Sequence, residues 1–231
     1  MSIAERLKKI KKTIPENVAL VAVSKTEPIA AIQAALRAGQ HRFGENRVQE
    51  LTEKAQKLRG ENIEWHMIGH LQRNKVKYIA PFVSLIHSVD SFRLLREIHT
   101  QAGKNDRIIP VLLQVKIAEE DAKFGLSELE ALDILKCDQT QFLPNVEIRG
   151  LMGMATFTDD PSKIRREFNR LKDFFNRLKN DYALAIDTEK FTELSMGMSG
   201  DYKLAVKCGS TMVRIGRAVF GTRNQNPLQA R

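Results

Sequence analysis

ALVAVSKTEP, residues 19–28, reads as a buried strand that runs through Ser24 straight into a lysine and then turns at Glu27-Pro28. Ala19 to Val23 are small or aliphatic without a polar break, the pattern of a strand covered on both faces. A helix-like segment follows over 28–38, so the stretch is one strand–turn–helix unit. An amine at the end of such a strand asks for a reason. Most lysines here lie in polar, helix-like surroundings such as RLKKIKK, residues 6–12, where solvation explains them, but Lys25 does not.

The same unit recurs along the chain. Strand-like runs fall at 18–24, 40–44, 64–68, 83–89, 109–117, 147–155, 191–197 and 212–219. Helical patterns lie between them at 28–38, 46–58, 71–79, 91–103, 127–137, 161–180 and 200–207, with another before the first strand. Strict alternation predicts a parallel sheet, and eight strands predict closure into a single (β/α)8 TIM barrel. The boundary chemistry agrees: Asn46 with Gln49 resembles a capping box, Asp159-Asp160-Pro161 a helix start, and Gly103 and Gly209 stand where helices should stop. No linker, repeat or low-complexity tract marks a second domain, so residues 1–231 are expected to form one.

At 231 residues the chain is close to the roughly 250 that such a barrel typically takes. With 42% apolar and 28% charged residues it can build a core without staples. Cys137 and Cys208 are far apart and form no CxxC pair, which fits a reducing, cytoplasmic setting rather than a disulfide framework or zinc site. The N-terminal MSIAERLKKIKK spaces Ile3, Leu7 and Ile10 helically and lacks a signal peptide's apolar core. No run approaches the roughly 20 apolar residues of a membrane span. A net charge of +9 invites a nucleic-acid reading, but the basic residues are interleaved with acids along helices, as in REFNRLKDFFNRLKN, and no recognition motif accompanies them. Nucleic acid and membrane are therefore not expected as partners; the field would serve equally to attract small phosphorylated anions.

In a βα barrel the chemistry sits on the rim at the C-terminal strand ends, and phosphate is often held by the loops after strands seven and eight. The strand-seven and strand-eight ends carry Gly197, Ser199, Gly200 and Gly216, where a phosphate would need bare backbone N–H groups and a hydroxyl. Turn residues would look the same. Lys25, on the same rim, could bond the aldehyde of a pyridoxal-type cofactor whose phosphate sits in that cradle. An ion pair of Lys25 with Glu45 explains it as well. Competing constellations fail on detail: His66 and His70 have the spacing of HExxH, but Met67 replaces the glutamate and the run is strand-like, so hydrogen-bonding histidines are expected. Met198-Ser199-Gly200-Asp201 after Gly197 misses the nucleophile elbow at its last glycine, and no Walker A or GxGxxG motif occurs.

Taken together, VAVSKTEP, FGENRVQEL, WHMIGHLQRNKVKYI, HSVDS, KFGLS, GLMGMATF, LSMGMSGDY and VRIGRAVFG resemble the pyridoxal phosphate homeostasis protein family over essentially the whole chain. The resemblance implies a barrel like the N-terminal domain of alanine racemase, with pyridoxal 5′-phosphate held as a Schiff base on Lys25. It also implies that Ser199, Gly216 and Arg217 bind the phosphate, that Arg214 faces the pyridine nitrogen, and that Asn46, His87, Ser88 and Met154 line the pocket. His70 would stand at the entrance. An arginine beside that nitrogen keeps it unprotonated and weakens the ring as an electron sink, where most enzymes using this cofactor place an Asp. Alanine racemase adds a second domain carrying a tyrosine base, and the ten residues after Gly221 are too few for one. The expected function is thus a carrier for vitamin B6 and amino-acid homeostasis without turnover, a monomer whose onward partners are apo-enzymes or a regulatory protein. The alternative is a small amino-acid racemase using Tyr202 or Lys123 as proton carrier.

Overall fold

The computed structural model describes residues 1–118, 124–137, 140, 142–181 and 187–221. Eight parallel strands close into a barrel in sequence order: β1 Ala19–Val23, β2 Arg42–Glu45, β3 Glu64–Met67, β4 Leu85–Val89, β5 Ile109–Gln114, β6 Val146–Met152, β7 Glu193–Ser195 and β8 Met212–Ile215. Closure is made by β8 against β1, in register from Ala19 opposite Met212 to Ala22 opposite Ile215. The expected barrel is therefore the observed one.

The helices are α1 Ile3–Lys11, α2 Ile29–Arg37, α3 Val48–Lys57, α4 Val76–Ile79, α5 Phe92–Gly103, α6 Glu128–Lys136, α7 Pro161–Asp181, α8 Tyr202–Lys207 and α9 Arg217–Phe220. Two begin with reciprocal capping boxes, Ser2 with Glu5 and Ser127 with Glu130, which satisfy otherwise orphaned first-turn donors. α7 starts at Pro161 as expected, and Asp160 Oδ1 accepts from Ser162 N at 2.8 Å. The apolar faces of the helices pack on the outward side chains of the strands, where Phe43 and Trp65 meet at 6.0 Å and Phe175 stacks on Phe191 at 5.0 Å.

Gly103 ends α5 as expected, and a left-handed residue follows at Asp106, φ 50°. Other boundaries differ from expectation. Asn46 does not cap α3: its N-cap is Arg47, with no side-chain bond, because the chain stays extended one residue longer. Strand eight stops at Ile215, and what read as its continuation to 219 is the short helix α9, because Gly216 turns the chain.

Gly150 in β6 has φ 153°, and a Cβ there would overlap the carbonyl oxygen of Glu193 on β7. Gly39 also has positive φ, 76°, but faces open space. Gly39→Ala is expected to cost about 1 kcal/mol from backbone strain alone, and Gly150→Ala more than about 2 kcal/mol because the β6–β7 seam must also open. Urea unfolding of the two variants checks this order, which equal losses would contradict.

Candidate active site at the C-terminal mouth of the barrel

Side chains alternate inward and outward along a barrel strand. Low in the barrel the inward set is an apolar plug of Val21, Leu85, Leu112, Met152 and Met212. Two residues further in the same phase stand Val23, His87, Gln114, Met154 and Arg214, and two further again Lys25 and Gly216. The interior thus turns polar towards the C-terminal mouth.

A buried hydrogen-bonded chain crosses the barrel at this level. His66 Nδ1 is 2.9 Å from His87 Nε2, and His87 Nδ1 is 3.0 Å from Ser195 Oγ. Arg214 Nη1 donates to Ser195 Oγ at 2.5 Å and Nη2 to the Gly153 carbonyl at 3.0 Å. Guanidinium only donates, so Ser195 Oγ accepts from Arg214; in the tautomer where the Ser195 hydroxyl donates to His87 Nδ1, His87 carries its ring proton on Nε2 and donates to His66 Nδ1. His66 Nδ1 is then the acceptor, and the ring proton of neutral His66 is on Nε2. Burial lowers His66 to about 3, with Arg42 adding to the effect, and lowers His87 well below the usual histidine range, with His66 and Arg214 contributing. Burial also lowers Arg214, to about 10, partly offset by Asp201, so it stays cationic at neutral pH. The positive charge of this chain sits on Arg214.

Lys25 follows β1, half-buried, and its Nζ has no hydrogen-bond or ion-pair partner among the described residues. The pair with Glu45 that the sequence allows is taken by another lysine: Lys54 Nζ lies 2.8 Å from Glu45 Oε1 and 2.7 Å from Glu50 Oε1. Burial raises the Glu45 carboxyl, against hydrogen bonds from Lys54 and Ser24.

The loops after β7 and β8 lie side by side, since Arg214 N donates to the Gly197 carbonyl at 2.9 Å. Asp201 Oδ1 closes the first loop by accepting from Met198 N at 2.5 Å. The N–H groups of Ser199, Gly200, Gly216 and Arg217 donate to no acceptor among the described residues. A Cβ on Gly216 would lie 3.0 Å from the Val23 carbonyl oxygen, so the start of the loop after β8 adjoins the end of β1, which Lys25 follows.

Of the remaining candidates, His87 is fully buried in the chain just described, and Ser88 Oγ is buried without a hydrogen-bond partner. Asn46 is half-buried, its backbone so close to Gly69 that a Cβ there would overlap its carbonyl. Met154 is exposed, on a loop held where Thr156 N and Oγ1 donate to the buried Glu167 at 2.7 and 2.6 Å. His70 pairs with Asp90 at 3.2 Å and stacks on Phe124 at 3.9 Å, beside a cavity of about 760 Å³ also lined by Arg73 and Arg93. Tyr202 is buried with its hydroxyl 2.9 Å from Thr13 Oγ1, and Lys123 lies outside the described residues. A cavity of about 800 Å³ opens at the opposite, N-terminal mouth, where Arg42 and Glu64 already pair at 2.9 Å. Sequence reasoning missed Ser195, Glu50 and Lys54. Inward phase could have flagged Ser195, whereas Glu50 and Lys54 look like a solvated i,i+4 pair.

His66 is neutral in the fold but has a pKa near 6.5 when unfolded. Between pH 6.5 and 3 the unfolded chain binds a proton that the fold rejects, so stability falls as pH drops through that window. At pH 5 His66 accounts for about 2 kcal/mol of the loss. His66→Gln is expected to shrink the pH 7 to pH 5 difference in urea-unfolding stability by that amount, and an unchanged difference would contradict the assignment.

Comparison with known proteins places this geometry. Residues 1–224 match the family model of the alanine racemase N-terminal domain. The chain is 40% identical over 214 residues to the pyridoxal phosphate homeostasis protein of Haemophilus influenzae, covering 92% of this chain and 88% of that one. Among solved structures, PipY of Synechococcus elongatus without pyridoxal phosphate superposes with a TM-score of 0.88 at 38% identity, covering 95% of this chain and 100% of that one. The form with pyridoxal phosphate bound gives 0.85 at 37%, with the same coverage. Alanine racemase from Bartonella henselae shares the fold, at TM-score 0.71 and 17% identity, with 98% of this chain covering 61% of that one. By its fold, its length of match and its identity to these relatives, the chain belongs to the pyridoxal phosphate homeostasis proteins of the alanine racemase N-terminal domain family.

Proposed function

We propose that this protein holds pyridoxal 5′-phosphate reversibly at the C-terminal mouth of its barrel, by a covalent link to Lys25 Nζ and without catalytic turnover. It would thereby serve intracellular vitamin B6 and amino-acid homeostasis. The observation that carries the reading is an unpaired amine two residues after Val23, whose carbonyl Gly216 packs against, with the N–H groups of Gly216 and Arg217 donating to no acceptor among the described residues. The residues fit the group: a dianionic phosphate suits amide donors and the Ser199 hydroxyl, and an aldehyde suits a free amine. When bound, the cofactor supplies a carbonyl carbon to which an amine adds with loss of water, a reaction that water or another amine reverses.

Each side chain then has a task. Lys25 provides the amine; Ser199 and the amides of Gly216 and Arg217 hold the phosphate; Arg214 faces the pyridine nitrogen as a cation. Asn46, His87, Ser88 and Met154 line the pocket. Both ring nitrogens of His87 are occupied by His66 and Ser195, so it acts by fixing Arg214 through Ser195.

The absence of turnover is supported by two features. A cation at the nitrogen disfavours the electron-sink chemistry that racemisation needs. Tyr202, the racemase alternative's candidate base, has its hydroxyl at Thr13. Relatives named as homeostasis proteins rather than enzymes agree with this. The working form would be a single-domain cytoplasmic monomer that passes the cofactor to apo-enzymes or reports it to a regulatory protein. No helix among the described residues is long and apolar enough to cross a membrane.

Purified protein incubated with pyridoxal phosphate is expected to show a visible absorbance band that borohydride abolishes and Lys25→Ala lacks, and to racemise no common amino acid. Robust alanine racemisation lost in Lys25→Ala would overturn the carrier reading; no band in the wild type would overturn the binding reading.

A further inference from the structure

We propose that Glu50 and Lys54 are positioning residues for Lys25: a charge clamp from α3, with Lys54 buried and Glu50 half-buried, that grips the backbone on both sides of it. This rests on the reading of Lys25 as the cofactor-bonding amine.

Lys54 is 7% exposed, and its ammonium reaches three acceptors: the Ser24 carbonyl at 2.6 Å, Glu45 Oε1 at 2.8 Å and Glu50 Oε1 at 2.7 Å. An ammonium has three donors, so it is saturated. Glu50 Oε1 in turn accepts from Thr26 N at 2.5 Å. Ser24 is fixed a second time, through Oγ donating to Glu45 Oε1 at 2.6 Å. The residue before Lys25 and the residue after it are thus tied to one helix, and only the Lys25 side chain is left loose.

The tie on Thr26 holds a conformation the residue does not choose. Its φ is 66°, in the left-handed region that a β-branched side chain disfavours, and only one other described non-glycine residue, Asp106, shares the sign. Strain of this kind persists where surroundings over-determine it, and it concentrates at functional sites. Here the over-determining group is Glu50. The left-handed turn directs the chain away immediately after Lys25, at the end of the inward phase of β1.

The clamp also partitions charge. Lys54 takes both Glu45 and Glu50, so neither carboxylate of the clamp is left without a cation. A buried ion pair contributes little net stability compared with an apolar replacement, so placement explains this one better than stability does.

The test uses the whole chain and two readouts. Hydrogen exchange of the Thr26 amide, read without cofactor, reports the clamp itself. The rates of pyridoxal phosphate capture and release, read from the visible band at a temperature where every variant is folded by circular dichroism, report its bearing on Lys25. Glu50→Ala is expected to speed Thr26 exchange at least tenfold and release at least tenfold. Glu50→Gln, whose amide oxygen can still accept from Thr26 N, should stay within about threefold of wild type in both. Lys54→Met should slow capture at least tenfold; should it fail to fold, the Glu50 pair decides alone. Unchanged Thr26 exchange in Glu50→Ala overturns the proposal, and so does faster exchange with unaltered capture and release. A wild-type protein that forms no band overturns instead the reading on which the proposal rests.

Discussion

Everything at the active mouth depends on the pairing of β8 with β1. Parallel registry from Ala19–Met212 to Ala22–Ile215 closes the barrel and sets the ends of its first and last strands side by side. Lys25 and Gly216 are nearly a full chain length apart, yet Gly216 lies against the Val23 carbonyl. An amine and a set of free amides become one site only through that seam. Its cost is borne by non-local packing: the outward aliphatic residues of each strand meet the helices, and Val21, Leu85, Leu112, Met152 and Met212 fill the lower interior.

Above the plug the barrel buries polar groups that contribute little to stability and much to placement. The His66–His87–Ser195–Arg214 chain fixes a guanidinium through two of its N–H groups, and burial keeps both histidines neutral so that only Arg214 carries charge. The Glu45–Lys54–Glu50 cluster does the equivalent for the backbone around Lys25. One device sets the electrostatics on the ring-nitrogen side of the proposed site, the other sets the stance of the amine. A partly satisfied version of either would be costly, since an unpaired buried charge is penalised far more than a paired one is rewarded.

The strands were legible because those buried on both faces leave continuous apolar runs, and ALVAV stands out without any partner known. Boundaries depended on single hydrogen bonds and were harder to read. Nothing local distinguishes Arg217–Phe220 from a strand extension, since Val and Phe suit both, and the turn at Gly216 is decided by β1 packing against it. Asn46 looked like a cap but the helix begins later. Lys25 was singled out by its place at a strand end, but its lack of a partner was not readable, because Lys54 competes for Glu45 from another element. Glu50 and Lys54 carried the signature of a surface helix pair, and Ser195 gave no local signal beyond its inward phase. Roles for Ser199, Arg214, Gly216 and Arg217 are implied by resemblance, and the structure adds that Arg214 lies opposite Val21 and Gly216 against Val23 on β1.

The central claim is that the first and last strand ends form one cofactor site. A crystal structure of the protein soaked with pyridoxal phosphate tests it most directly. The account predicts continuous density from Lys25 Nζ into the ring, with the phosphate on the amides of Ser199, Gly216 and Arg217 and the ring nitrogen beside Arg214. Density joined to another lysine, or a phosphate seated at the Arg73–Arg93 cavity with Lys25 unmodified, would contradict it.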